Sequence, residues 1–165
     1  MQSIQILDVK PFMQVLFQTT ELDSYDFVSG EIQTQLGYQL DGHVNPDFFS
    51  EEEADRYQLT HTGYLPWVLA KEKVFQIIKG KKTPSQMKLV LRLSPSRSEE
   101  ILQQSTTYSA NEIDGFFVNI LFQEQKLNVI LGISYKIFTL DKSLEDVFSA
   151  YFITFLKHNH ITFLS

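Results

Sequence analysis

The spacing of apolar and polar positions predicts an ordered series of short strands and helices. Ile4 to Asp8 reads as a first strand. Asp8 then stands as the N-cap of a helix over 9–18, with Pro11 in the first turn and Phe12, Val15 and Leu16 on one face. Phe27 to Gln33 alternates as a half-buried strand does, with Val28, Gly30 and Ile32 against Phe27, Ser29, Glu31 and Gln33. Gln35-Leu36-Gly37 marks a turn or bulge, and Tyr38 to Val44 the returning strand. Asn45-Pro46-Asp47 breaks the pattern. Ser50 followed by Glu51, Glu52 and Glu53 has the form of a helix start, because acids in a first turn complement the helix dipole. Pro66 suits a first helical position. Trp67, Val68, Lys71, Val74, Phe75 and Ile78 then line one face of a helix over 65–79, with Gly80 placed to cap it.

Met87 to Leu93 alternates again, with Met87, Leu89, Leu91 and Leu93 on the apolar side. Ser94-Pro95-Ser96 stops this strand, and Ser98 to Gln104 reads as a short helix. Thr106 to Asp114 reads as a loop. Phe116 to Gln123, a turn at Glu124-Gln125, Leu127 to Leu131 and Ile133 to Thr139 carry the strongest strand pattern. Asp141-Lys142-Ser143 opens a last helix to about 157, with Leu144, Val147, Phe148, Tyr151, Phe152 and Phe155 inward, and Ile161 to Leu164 forms a terminal strand. The fold class is α+β, a mostly antiparallel sheet with flanking helices. Residues 4–44 and 86–139 both run strand, short helix, strands, a β-α-β-β order used twice. That unit resembles the building block of DNA sliding clamps, and the turn Asp41-Gly42-His43 is similar to a clamp turn. The resemblance implies a clamp-like arrangement; the alternative is the ordinary alternation of helices and hairpins. A clamp meets DNA phosphates with Lys and Arg on its helices. Here the first helix has only Lys10, and Glu99 and Glu100 follow Arg97 in the other, so the DNA-encircling surface is missing.

A chain of 165 residues with 14 Phe, 7 Tyr and 1 Trp is expected to fold as a single domain over 1–165 and is not disordered. Cysteine is absent, which excludes disulfides, thiolate zinc sites and Cys nucleophiles and fits a reducing compartment. The opening residues lack a basic leader and a small-residue cleavage site, and no apolar run reaches the ~20 residues that span a bilayer. The expectation is a cytoplasmic protein with no membrane partner.

Net charge is −6, which argues against a generic nucleic-acid binder. The distribution is more telling. Lys71, Lys73, Lys79, Lys81, Lys82, Lys88, Arg92 and Arg97 stand against Glu72 alone, so 71–97 carries +7 and the remainder −13. Lys79-Gly80-Lys81-Lys82, helped by Lys88 and Arg92 on the next strand, forms the candidate anion site, for phosphate, nucleotide or nucleic-acid backbone. The competing reading is that cations at a helix C-terminus offset its dipole by ~0.3–1 kcal/mol. A helix C-terminus presents carbonyls rather than amides, and neither a Walker loop nor G-x-G-x-x-G occurs.

His43 with Asp41 and the Glu51–Glu53 run has the residue types of a carboxylate–histidine metal site, yet the same residues are ordinary turn and N-cap chemistry. His158 and His160 flank Asn159 without the frame a nuclease needs. No G-x-S-x-G elbow is present. No catalytic residue, metal or cofactor is assigned.

Four segments together carry a wider resemblance: Asp41-Gly42-His43-Val44-Asn45 with Phe48-Phe49 and the Glu51–Glu53 run; Ile78 through Pro84; Gly115 through Ile120; and Ile137 through Glu145. They resemble an uncharacterised family of small proteins from Clostridia-type Gram-positive bacteria, over nearly the whole chain. The resemblance implies a bacterial, intracellular, single-domain protein and carries over no activity. The expected function is a non-enzymatic binding or adaptor protein that holds a protein partner by its sheet edges or basic stretch. The alternatives are a nucleic-acid-associated accessory protein with a degenerate clamp-like fold and, more weakly, an enzyme acting on a phosphorylated small molecule.

Overall fold

In the computed structural model, which describes residues 2–59 and 63–165, the strands form one eight-stranded sheet in which every pairing is antiparallel. β1 (Gln2–Ile6) leads into α1 (Val9–Gln18), and β2 (Asp26–Gln33) into β3 (Gly37–Asp41). A 3₁₀ turn at Pro46–Phe48 and α2 (Glu51–Arg56) precede β4 (Leu65–Pro66) and α3 (Trp67–Ile78). β5 (Gln86–Arg92) and α4 (Pro95–Leu102) follow, then β6 (Ile113–Gln123), β7 (Lys126–Tyr135), α5 (Ser143–His158) and β8 (Phe163–Leu164). The strand order is β3-β2-β5-β6-β7-β1-β8, with β4 also on β2. The α+β class read from the sequence is the class observed. The two β-α-β-β segments lie differently in the sheet: β5 and β6 are neighbours, whereas β5, β6 and β7 separate β1 from β2.

One face of the sheet carries the core. Ile4, Leu89, Leu91, Val118, Ile120, Leu127 and Val129 are buried against Phe12 and Leu16 of α1, Trp67 and Val74 of α3, and Phe148 and Phe152 of α5. Trp67 is fully buried, and its indole N–H donates to the Leu16 carbonyl at 2.8 Å, so its polar atom is satisfied inside the core. Lys71 does not project as a free cation. Its ammonium donates to Asp23 at 2.6 Å and to the Thr19 carbonyl at 3.0 Å, tying α3 to the segment before β2.

Several boundaries differ from the sequence reading, each for a local reason. Asp8 stands at the N-cap of α1 as expected, but its side chain makes no cap hydrogen bond; its carboxylate instead accepts the Thr162 N–H at 2.7 Å and fastens β8 beside β1. Pro66 is the N-cap of α3 and belongs to β4, while Lys79 is the C-cap and Gly80 comes one residue later. α4 starts at Pro95, because Ser94 accepts from the Arg97 N–H and proline suits a first turn. β7 runs through Gly132 without a break, and Ile137 to Thr139 lie outside it. In β2 the register shifts between Phe27 and Ser29. This bulge brings Phe27 to the buried side with Ile32, two residues that strict alternation assigns to opposite faces.

β3 and β4 lie along the same flank of β2, and they are interrupted by residues 43–64. Asp41 pairs with Ser29 and Leu65 with Phe27, while the Leu65 N–H donates to the Gly42 carbonyl at 2.8 Å. The chain therefore leaves this edge after Gly42 and rejoins it at Leu65, and the described residues between, 43–59 with 63 and 64, form an arm. Its neck is closed by the Val44 N–H on the Gly63 carbonyl at 2.9 Å and by His43 bridged to Tyr64.

Candidate functional site

The strand directions give the sheet two distinct ends. One holds the turn between β2 and β3, the C-terminus of α3 and the start of β5. The other holds the arm, the end of β5 and the loop after β7.

At the first end, residues 79–85 cross from α3 to β5. The Lys79 N–H closes the helix on the Phe75 carbonyl, and Ser85 donates its N–H to the Gln33 carbonyl at 2.9 Å, which pins the loop to the end of β2. Between them opens a concavity of about 840 Å³. The half-buried Tyr38, Ile77 and Ile78 supply its apolar lining, and the exposed Lys79, Lys81 and Lys82 its charge. Thr34, Thr83 and Ser85 add hydroxyl groups. None of these three lysines has a carboxylate within ion-pair distance among the described residues. Three like charges gathered without a counter-charge repel one another, and an anion relieves that repulsion.

The other two sequence candidates are elsewhere. Lys88 lies on β5 directly opposite Glu31 and borders a neighbouring concavity of about 670 Å³ with Glu31, Tyr38 and Gln39. Arg92 is at the far end of β5. Its Nε is 3.8 Å from the buried Asp26 carboxylate, and its guanidinium lies over the Tyr64 ring at 5.6 Å. Tyr64 in turn packs on His43 at 4.8 Å, and His43 Nδ1 is 2.6 Å from Asp41 Oδ1. Asp41 also accepts the His43 backbone N–H, and these bonds hold its carboxyl below the ordinary value of 3.8. The run Asp26, Arg92, Tyr64, His43, Asp41 thus braces the neck of the arm. Arg92 is engaged there, at the opposite end of β5 from the Lys79–Lys82 loop.

Asp41 and His43 are not joined by the Glu51–Glu53 run. Glu53 instead closes a capping box with Ser50: the Ser50 N–H donates to its carboxylate at 3.1 Å, and the Ser50 hydroxyl accepts the Glu53 N–H at 3.1 Å. Among the described residues, no three His, Asp or Glu side chains gather as a metal site requires. His158 ends α5 and His160 follows at positive φ, with no third ligand beside them.

The sequence reading missed two exposed apolar features at the arm end. Phe48 is 80% exposed, packed edge-on against Phe49 at 5.5 Å. In the loop after β7, Phe138 and Leu140 are 89% and 82% exposed, and Tyr108 anchors that loop through Thr139 at 2.7 Å. The signal available was apolar residues beside or within segments of turn composition, Phe48 after Asn45-Pro46-Asp47 and Phe138 and Leu140 at Thr139 to Ser143. No helix among the described residues is long and apolar enough to cross a membrane.

These features define an α+β protein with an open antiparallel sheet, a basic concavity at one end and an acidic arm at the other. The chain belongs to a family of unknown function, DUF5721, whose model matches residues 15–164. No curated protein and no solved structure matches it.

Proposed function

We propose a non-enzymatic binding protein of the bacterial cytoplasm, a single-domain adaptor that holds an acidic segment of a protein partner. The segment lies in the Lys79–Lys81–Lys82 concavity and along the adjoining edge of β3. The observation that carries this reading is the gathering of three uncompensated lysines around a half-buried apolar lining. β3 ends the strand order, and Gly37, Gln39 and Asp41 are exposed along it. An extended peptide can add to such an edge through main-chain hydrogen bonds while its acidic side chains meet the lysines.

A nucleic acid is the weaker partner. Three lysines beside an apolar lining make a short patch, not the long cationic track a polyphosphate backbone needs. The clamp-like reading fares the same way. α1 presents Lys10 alone, and Arg97 of α4 is 3.5 Å from Glu100. Lys88 serves only at the margin, across from Glu31.

Fluorescence anisotropy with a labelled oligoglutamate peptide tests the proposal. The variant with Lys79→Ala, Lys81→Ala and Lys82→Ala is expected to bind about tenfold more weakly or worse, whereas Lys88→Ala changes little. Unchanged affinity in the triple variant overturns the reading. Tighter binding of a DNA oligonucleotide of equal charge, falling steeply with salt, favours the nucleic-acid alternative.

A further inference from the structure

We infer that the acidic segment taken up by the basic concavity is the arm of a second copy of this chain, entering with Phe48. This rests on reading the concavity as an acidic-peptide site and names its occupant.

The arm and the concavity are complementary in two respects. Phe48 stands out at 80% exposure between acidic residues, and the concavity offers Tyr38, Ile77 and Ile78 between basic ones. The charges also match after local pairing is set aside. Within the arm Glu53 is engaged by the Ser50 cap, and Glu52 is 3.5 Å from Arg56. Asp47, Glu51 and Asp55 make no ion pair among the described residues. Three acids within eight residues of an exposed phenylalanine thus match in number three lysines beside an apolar recess.

No copy fills its own recess. The concavity lies beside the start of β3 and the arm leaves beyond its end, about 17 Å away at ~3.4 Å per residue of strand. None of the arm's described residues lines the concavity. The neck is braced at Gly42, His43 and Tyr64, which keeps the arm pointing from its own end of the sheet. Contact between unlike surfaces on two copies is heterologous, so successive copies join head to tail into a chain or a ring.

Sedimentation velocity on the full chain tests this. In about 50 mM salt the protein is expected to associate as its concentration rises, and in about 500 mM salt to sediment as a monomer. Phe48→Ala should weaken association about tenfold. One charge-reversed protein carries Asp47→Lys, Glu51→Lys and Asp55→Lys, leaving the Ser50–Glu53 cap intact; the other carries Lys79→Glu, Lys81→Glu and Lys82→Glu. Each alone should be monomeric at low salt, and an equimolar mixture should associate again, which also shows that both are folded. A wild-type protein that stays monomeric at every concentration, or reversed proteins that each associate like wild type, overturns the inference. Oligoglutamate separates the two levels. If it still binds the wild-type concavity and is lost with the lysines, the acidic-peptide site stands and only the second copy is wrong. If it does not bind, both fall.

Discussion

A β-carbon on Gly42 would lie 1.9 Å from the Phe27 carbonyl oxygen and 2.8 Å from that of Val28. Both contacts are with backbone, at the bulge where β2 turns Phe27 into the core, so no side-chain rotation relieves them. Gly42→Ala is expected to cost roughly 3 kcal/mol or more, the upper range for overpacking, read as a fall in thermal midpoint. Retention of the wild-type midpoint would show that the edge is not held this closely. Asp8 is a second residue whose role depends on distant chain. The Thr162 N–H bond lowers its carboxyl from the ordinary value of 3.8. A carboxyl lowered by folding stabilises above its unfolded value, and that contribution is lost as pH falls through the lowered one. Asp8→Asn should therefore lower the melting temperature at about pH 7 and make its decline toward about pH 3 shallower than in wild type. Parallel melting curves for the two proteins would contradict this. The sequence marks Asp8 as a good acceptor beside a helix start. It does not show that the donor arrives from residue 162, because nothing local encodes that pairing.

Among elements, regular periodicity was readable and interruptions were not. The helix over 9–18 matches α1; in α5 the expected Leu144, Phe148 and Phe152 are buried and Val147, Tyr151 and Phe155 half-buried, while the buried Ser149 and Leu156 lie outside the expected inward set. The two-residue hairpin between β6 and β7 falls at Glu124-Gln125 as expected. Both residues have positive φ, at 53° and 64°, positions that hairpins usually give to Asn and Gly. The arm escaped detection because β3 and β4 are one edge only through their common pairing to β2. On paper they are two short segments separated by turn signals. Leu59 is the one buried apolar side chain among the arm's described residues and lies outside the main core cluster, and Gly42 and Leu65 are already hydrogen-bonded. Replacing residues 45–62 by a two-glycine turn, which keeps the neck residues 43, 44, 63 and 64, is thus expected to leave a cooperative melt and a native far-UV circular dichroism spectrum, since a shorter loop costs less closure entropy. Loss of the cooperative transition would place the arm in the folding unit.

For the whole molecule, the segregation of charge visible in the sequence survives folding only in part. Lys79, Lys81 and Lys82 stay together because they share one short loop. Lys88 and Arg92 share a face of β5 yet lie about 13 Å apart at ~3.3 Å per residue; Arg92 is 3.8 Å from Asp26, whereas Lys88 stands opposite Glu31 in the ladder without an ion pair between them. Lys71 and Arg97 are likewise taken up by Asp23 and Glu100. A count of charges along a chain cannot tell a cation matched across a sheet from one left in the open; strand register decides it. The central claim is that the lysines clustered at 79, 81 and 82 hold an acidic ligand. Amide chemical-shift mapping during titration with oligoglutamate tests this most directly. The expected result is perturbation confined to residues 77–85 and the adjoining 33–39, whereas shifts centred on Arg92 and residues 103–116, or none in the lysine loop, would contradict it.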